Sequence, residues 1–323
     1  MKILITGCAG FVGHNLSKKL LEDNHHVTGI DNLNNYYDVN LKKNRLKNIL
    51  NNYKDFKFFK LNLSDTMKTK KFFNSKKFEF VIHLASQAGV RHSIKNPLSY
   101  IDNNIIAYIN ILESVKKKSS TRIIFASSSS VYGNKLIFPL KEAFNTDNQL
   151  QMYGVSKKTM ELISSAYNNL YNLDIIALRF FTVYGPWGRP DMALFKFVES
   201  IIKNKKINVY NYGKHVRDFT YIGDLSESIR LIINKKQKKI IKNKFKIYNI
   251  GSNNPISLSK FISIIEKKIG RKAKKNFLPI QQGDIPKTHS DNNKFYLDYG
   301  YKPKTSHKKG ISNFVDWYLD YYK

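Results

Sequence analysis

Three residue types within one stretch of this 323-residue chain can move a proton on and off an alcohol. Tyr153 and Lys157 stand four apart in Tyr153-Gly154-Val155-Ser156-Lys157, a spacing that puts both on one face of a helix. An ammonium beside a phenol favours the phenolate, against an ordinary phenol pKa of about 10. Just upstream, Ile123-Ile124-Phe125-Ala126 runs into the hydroxyl cluster Ser127-Ser128-Ser129-Ser130-Val131-Tyr132-Gly133. A serine delivered from the end of that strand can share a substrate oxygen with the tyrosine. Such a set suits the oxidation of an alcohol, provided a hydride acceptor lies beside it.

The N-terminal residues supply a place for that acceptor. Lys2 to Thr6 is a short apolar run ended by glycine, which reads as a buried strand. Gly7-Cys8-Ala9-Gly10-Phe11-Val12-Gly13 follows, then a helical pattern to about Glu22, then the apolar Val27 to Ile30 stopping at Asp31. Strand, glycine turn, helix, strand and acid in that order bind a dinucleotide. The glycines permit the tight turn, the backbone approach to a pyrophosphate and close helix–sheet packing, while the helix N-terminus stabilises the phosphate charge. Asp31 can accept from both ribose hydroxyls and would repel a 2′-phosphate, which favours NAD over NADP.

The elements that hold these residues alternate along the chain. Strands are expected at Phe56–Leu61, Phe78–Leu84, Arg122–Ala126 and Leu173–Leu178, with helices at Met67–Phe73, from Pro97 to about Lys117, and from about Gln149 to Tyr171. Repeated strand–helix units with apolar strands predict an α/β fold: a doubly wound parallel sheet covered on both faces, Rossmann-like. Ligands of such sheets sit at the carboxyl ends of the strands, where Gly7, Asp31, Leu84-Ala85-Ser86 and Ser127 to Ser130 all fall. After Arg179 the pattern changes to a loop dense in Gly, Pro and aromatics, Phe180 to Met192, containing Arg189. Helices near 191–203, 224–234 and 257–269 then alternate with short strands at Ile207–Tyr210 and Lys246–Ile250. A smaller, interleaved α/β substrate-binding lobe is therefore expected. The domain reading is 1–179 for the cofactor, rejoined by 212–250, and 180–211 with 251–323 for the substrate.

Taken together, Gly7–Gly10–Gly13, Ser-Ser-Ser-Ser-Val-Tyr-Gly, Tyr153-x-x-x-Lys157 and Val216-Arg217-Asp218-Phe219 resemble the extended short-chain dehydrogenase/reductase family. Within it the chain is similar to the UDP-glucuronate 4-epimerases, through Asp31 to Asp38, Gln87-Ala88-Gly89-Val90-Arg91 and Thr182 to Ala193, and the likeness runs from Lys2 to Tyr318. The resemblance implies an NAD-dependent enzyme that oxidises and re-reduces C4 of a UDP-sugar, with Ser128, Tyr153 and Lys157 as its catalytic residues. It implies cofactor contacts from Gly7, Gly10, Phe11, Val12, Gly13, Asp31, Asn32, Asn34, Asn62, Leu63, Leu84, Ala85, Ser86, Asn104 and Phe180, besides Tyr153 and Lys157. Substrate contacts would come from Ser130, Thr182 and Arg189 on the sugar carboxylate, with Val209, Tyr210, Arg217, Gln281 and Asp284 on the nucleotide. A homodimer through the helices near 97–117 and 149–171 is implied as well. Sugar 4,6-dehydratases and UDP-glucuronate decarboxylases usually carry an acid where Ser130 stands, which disfavours them. UDP-glucose or UDP-N-acetylglucosamine 4-epimerase is the nearest alternative, since it does not need the Arg189 loop.

Three positions depart from the family pattern. Cys8 stands in place of the commoner alanine, and Asn62 in place of the usual aspartate near the adenine. Gly154 sits inside a helix, where glycine costs up to about 1 kcal/mol relative to alanine.

Composition bounds the rest. The net charge is +31, but the excess is lysine scattered through every segment rather than a compact arginine-rich block. A solvated lysine coat accounts for it, and no nucleic-acid partner is expected. One cysteine excludes an internal disulfide framework and fits a reducing compartment. No apolar run reaches about 18 residues, so no membrane span is expected. No signal-peptide pattern precedes the first strand, and a cytoplasmic location is expected. No metal ligand set is evident.

Overall fold

Short apolar strands separated by helices give a seven-stranded sheet in the computed structural model, which describes residues 1–118, 120–235 and 245–323. Its strands are β1 (Lys2–Thr6), β2 (His26–Asp31), β3 (Phe56–Lys60), β4 (Phe80–His83), β5 (Arg122–Ser128), β6 (Asp174–Phe180) and, later in the chain, Phe245–Ile250. The spatial order is Phe245–Ile250, β6, β5, β4, β1, β2, β3, with every pair parallel. The order reverses between β1 and β4, where a doubly wound sheet opens its ligand crevice.

The intervening helices are α1 (Phe11–Glu22), α2 (Val39–Asn52), α3 (Thr66–Asn74), α4 (Val90–Lys95), α5 (Leu98–Tyr100), α6 (Ala107–Val115) and α7 (Met152–Tyr171). The single helix expected from Pro97 to Lys117 is interrupted by a π-helical stretch at Ile101–Ile106. Asn104 sits in that stretch, fully buried, with its amide bonded to the Gln87 backbone. The helix α2 has no counterpart among the expected elements, although Asp38 caps it by accepting from Asn40 N and Leu41, Leu46 and Ile49 form its buried stripe.

After Phe180 the chain leaves the main sheet. Thr182–Tyr184 (β7) pairs instead with Phe219–Tyr221, in parallel. Helix α8 (Ala193–Ile202) and strand β8 (Lys206–Tyr210) follow, and β8 pairs with Lys274–Leu278. One apolar core fills this lobe, with Phe195, Val198, Phe219, Phe261 and Phe314 among its members. Two other cores lie on the faces of the main sheet. The chain crosses between lobe and sheet within a few residues: Phe219 stays with the lobe, whereas the helix Ile222–Asn234 packs Leu225, Ile229 and Ile232 onto the sheet.

Strand Phe245–Ile250 returns to the sheet edge beside β6, and Phe295 packs on the same core. Residues 236–244, within the 212–250 segment expected to rejoin the sheet, lie outside the described residues. Among the described residues no helix is long and apolar enough to cross a membrane.

Candidate active site

The glycine turn is packed too closely for any larger residue. Gly7 has φ +72°, and a Cβ there would lie 2.7 Å from the Ala85 nitrogen. A Cβ on Gly13 would collide with the Gly7 carbonyl, so α1 sits directly on the turn. No side chain caps the N-terminus of α1, which leaves its first N–H groups and its dipole for an anion. Asp31 at the tip of β2 is buried, its Oδ2 accepting from Ala9 N at 3.1 Å and its Oδ1 from Leu33 N at 2.8 Å. Burial raises its pKa, while those backbone bonds and the nearby Lys42 pull it back. An uncapped helix end, a glycine turn and an anchored carboxylate on one cavity wall fit a dinucleotide.

That cavity has a volume of about 850 Å³ and runs from the glycine turn into the lobe. Gly7, Gly10, Phe11, Val12, Gly13, Asp31, Asn32, Asn34, Asn62, Leu63, Leu84, Ala85, Ser86 and Phe180 line it. Ser128, Ser130, Tyr153, Lys157, Thr182, Arg189, Tyr210, Arg217 and Asp284 line it too. Three expected residues do not. Asn104 lies behind the wall, holding Gln87 and bonded to Ser156 Oγ at 2.9 Å. Val209 is buried in the lobe core, and the Gln281 carbonyl accepts from Asp284 N at 3.1 Å.

Strand alternation separates the serines at the end of β5. Ser127 faces away from the cavity centre and donates to Glu161 Oε1 at 2.6 Å. Glu161 is also held by Arg179 at 2.9 and 2.8 Å, a pair only 3% and 2% exposed. Ser128 presents its hydroxyl on the cavity side and accepts from Ser130 N at 3.1 Å, which tightens the short 3₁₀ turn Ser129–Tyr132.

The ionisation of Tyr153 and Lys157 differs from the expectation that the ammonium draws the phenol down. Burial, the largest influence, raises the Tyr153 pKa; the Ser128 hydroxyl and the Arg189 charge oppose it without reversing it. Burial also pushes Lys157 down from 10.5 to about 7. Its Nζ donates to the Ala126 carbonyl at 2.7 Å and lies 6.0 Å from the Tyr153 ring centroid. Burial thus works against the charged form of each, the phenolate of Tyr153 and the ammonium of Lys157.

Arg189 is held by a neighbour absent from the residues expected on sequence grounds. Asp191 accepts from its Nε at 3.0 Å and its Nη2 at 2.5 Å, and the Tyr36 hydroxyl donates to Asp191 at 3.3 Å. The backbone of the same loop is clamped by the fully buried Arg45, which donates to the carbonyls of Trp187 (2.6 Å), Gly188 (3.1 Å) and Ala9 (3.1 Å). Tyr36, Lys42, Arg91 and Asp191 all line the cavity, and none is among the expected site residues. The available signal is the unassigned helix α2, whose Lys42 and Arg45 project from one face three residues apart.

The chain belongs to the NAD dependent epimerase/dehydratase family, whose pattern it matches over residues 3–251. It is 45% identical to protein CapI of Staphylococcus aureus over 100% of both chains. It is 40% identical to a probable UDP-glucuronate 4-epimerase of Rhizobium meliloti, over 100% of this chain and 98% of that one. Among solved structures, the UDP-glucuronic acid 4-epimerase of Bacillus cereus in complex with UDP-glucuronic acid and NAD matches with a TM-score of 0.92, at 33% identity and covering 100% of both chains.

Proposed function

We propose that the chain is an NAD-dependent 4-epimerase that interconverts UDP-glucuronate and UDP-galacturonate. The observation that carries this reading is one cavity lined by the glycine turn, Asp31, Ser128, Tyr153, Lys157 and Arg189 together. Bound NAD supplies the hydride acceptor and then the hydride donor. Tyr153 would take the proton of the sugar 4-hydroxyl during oxidation at C4, and Ser128 would hydrogen-bond the same oxygen. The 4-keto sugar would turn over in the cavity, and Tyr153 would return the proton on re-reduction at the other face.

Arg189 is proposed to hold the C5 carboxylate, with Ser130 and Thr182 as hydroxyl donors. The 4-keto intermediate is a β-keto acid, which loses CO2 when its C5–carboxylate bond aligns with the carbonyl π system. Fixing the carboxylate out of that alignment preserves the carbon. Tyr210, Arg217 and Asp284 are read as nucleotide contacts at the lobe end of the cavity.

The reading extends to a cytoplasmic homodimer. Leu98, Leu162, Leu170 and Tyr171 are exposed apolar side chains on the helices expected to pair. Its division into units assigns the sheet with helix Ile222–Asn234 and strand Phe245–Ile250 to the cofactor, and the remaining lobe to the sugar nucleotide.

Incubation with UDP-glucuronate, read by NMR, tests the activity. UDP-galacturonate is expected. Unchanged substrate, or UDP-xylose as the product, overturns the reading. Tyr153→Phe should abolish turnover while retaining the fold and bound NAD.

A further inference from the structure

We propose that Asp191, steadied by the Tyr36 hydroxyl, is the residue that positions Arg189 for the sugar carboxylate. This deepens the substrate reading above and rests on it. A guanidinium carries five N–H donors in a rigid fork. Asp191 takes one from Nε and one from Nη2, along a single edge. The donors at the other end of the fork remain for a second carboxylate, and Arg189 lines the cavity.

The alternative role for Asp191 is a placeholder that the substrate carboxylate displaces. Three observations favour the anchor. Asp191 is tethered from a separate element, since Tyr36 lies in the loop between β2 and α2. The Tyr36 ring is itself fixed, packed edge-on against His92 at 4.8 Å and close to Gly89. The side chains of Arg189 and Asp191 are only 20% and 30% exposed, so separating them strands two partly buried charges. Burial and the Asp191 charge keep the Tyr36 hydroxyl protonated, its pKa pushed up to about 12, so it stays a donor.

The backbone clamp from Arg45 stops at Gly188. Beyond it, the Arg189 side chain has several free torsions and would sample many rotamers without Asp191. A wandering guanidinium would hold the carboxylate loosely and let it reach the alignment that releases CO2. Asp191 and Tyr36 are thus positioning residues, acting through Arg189 on both affinity and product.

The test compares the unaltered holoenzyme with Asp191→Asn, Asp191→Glu and Tyr36→Phe. The measurements are Kd for UDP-glucuronate and for UDP-glucose, and the NMR ratio of UDP-galacturonate to products lacking the carboxylate. Asp191→Asn should weaken UDP-glucuronate binding roughly tenfold, as expected for a lost charge-assisted bond, with little change for UDP-glucose. The decarboxylated share should rise. Tyr36→Phe should move both readouts the same way but less, and Asp191→Glu should recover part of each. Tighter UDP-glucuronate binding in Asp191→Asn would show a displaced competitor and overturn the proposal. So would equal losses for both sugars, the mark of a general structural role. If the unaltered enzyme gives no UDP-galacturonate, the substrate reading fails and this proposal with it; normal turnover with unselective variants overturns this proposal alone.

Discussion

Replacing Lys157 with methionine should stabilise the NAD-free protein while destroying its activity. Burial holds the Lys157 pKa at about 7 instead of 10.5. Between those values the unfolded chain keeps a proton that the folded chain releases, so stability rises with pH across the window and is lost as pH falls toward 7. At 1.36 kcal/mol per unit, the penalty near pH 7 is roughly 5 kcal/mol. Methionine removes it but leaves the Ala126 carbonyl without its 2.7 Å donor, which costs roughly 1–3 kcal/mol. A net gain of roughly 2–4 kcal/mol remains by that arithmetic. Denaturant unfolding of both proteins at pH 7 and pH 10 measures it, because other titrations cancel in the difference. By pH 10 the penalty falls to roughly 1 kcal/mol, so the gain should vanish and the variant should be no more stable than the parent. A variant less stable than the parent at pH 7, or a difference independent of pH, would refute the reasoning.

Gly154→Ala should destabilise the protein, although helix propensity alone favours alanine by about 1 kcal/mol: a Cβ there would lie 2.9 Å from the Ser130 carbonyl, and calorimetry decides the sign. Glu161→Gln leaves the Arg179 charge buried without its partner, so unfolding free energy should fall by roughly 3–5 kcal/mol. Gly13→Ala, which would drive a Cβ into the Gly7 carbonyl, should yield protein without bound NAD, read from the absorbance of released nucleotide.

The sheet is legible in the sequence because its signals are local. Apolar runs such as Lys2–Thr6 end at glycine or acid, and buried parallel strands must be apolar throughout. Gly7, Asp31 and Ser128 are legible for the same reason, each lying at a strand end. What escapes depends on contacts distant in sequence. The Arg45 clamp spans from α2 to Trp187 and Gly188, and Tyr36 reaches Asp191 across a separation of 155 residues. Gly154 shows the limit of local rules most clearly. Read alone it is a weak point in a helix; in the fold it lets α7 approach Ser130, and so brings Tyr153 to the serine cluster.

Burial sets the ionisation of Tyr153 and Lys157 against the charged form of both. Desolvation raises the Tyr153 pKa and lowers that of Lys157, so the phenolate–ammonium form is disfavoured at rest. Two positive influences can recover it: the Arg189 charge, which already lowers the Tyr153 pKa, and any cationic group bound beside the phenol. Asp191 offsets part of the first. The apolar enclosure that makes Lys157 costly to the fold is the same feature that leaves the ionisation of Tyr153 dependent on positive charge around the phenol.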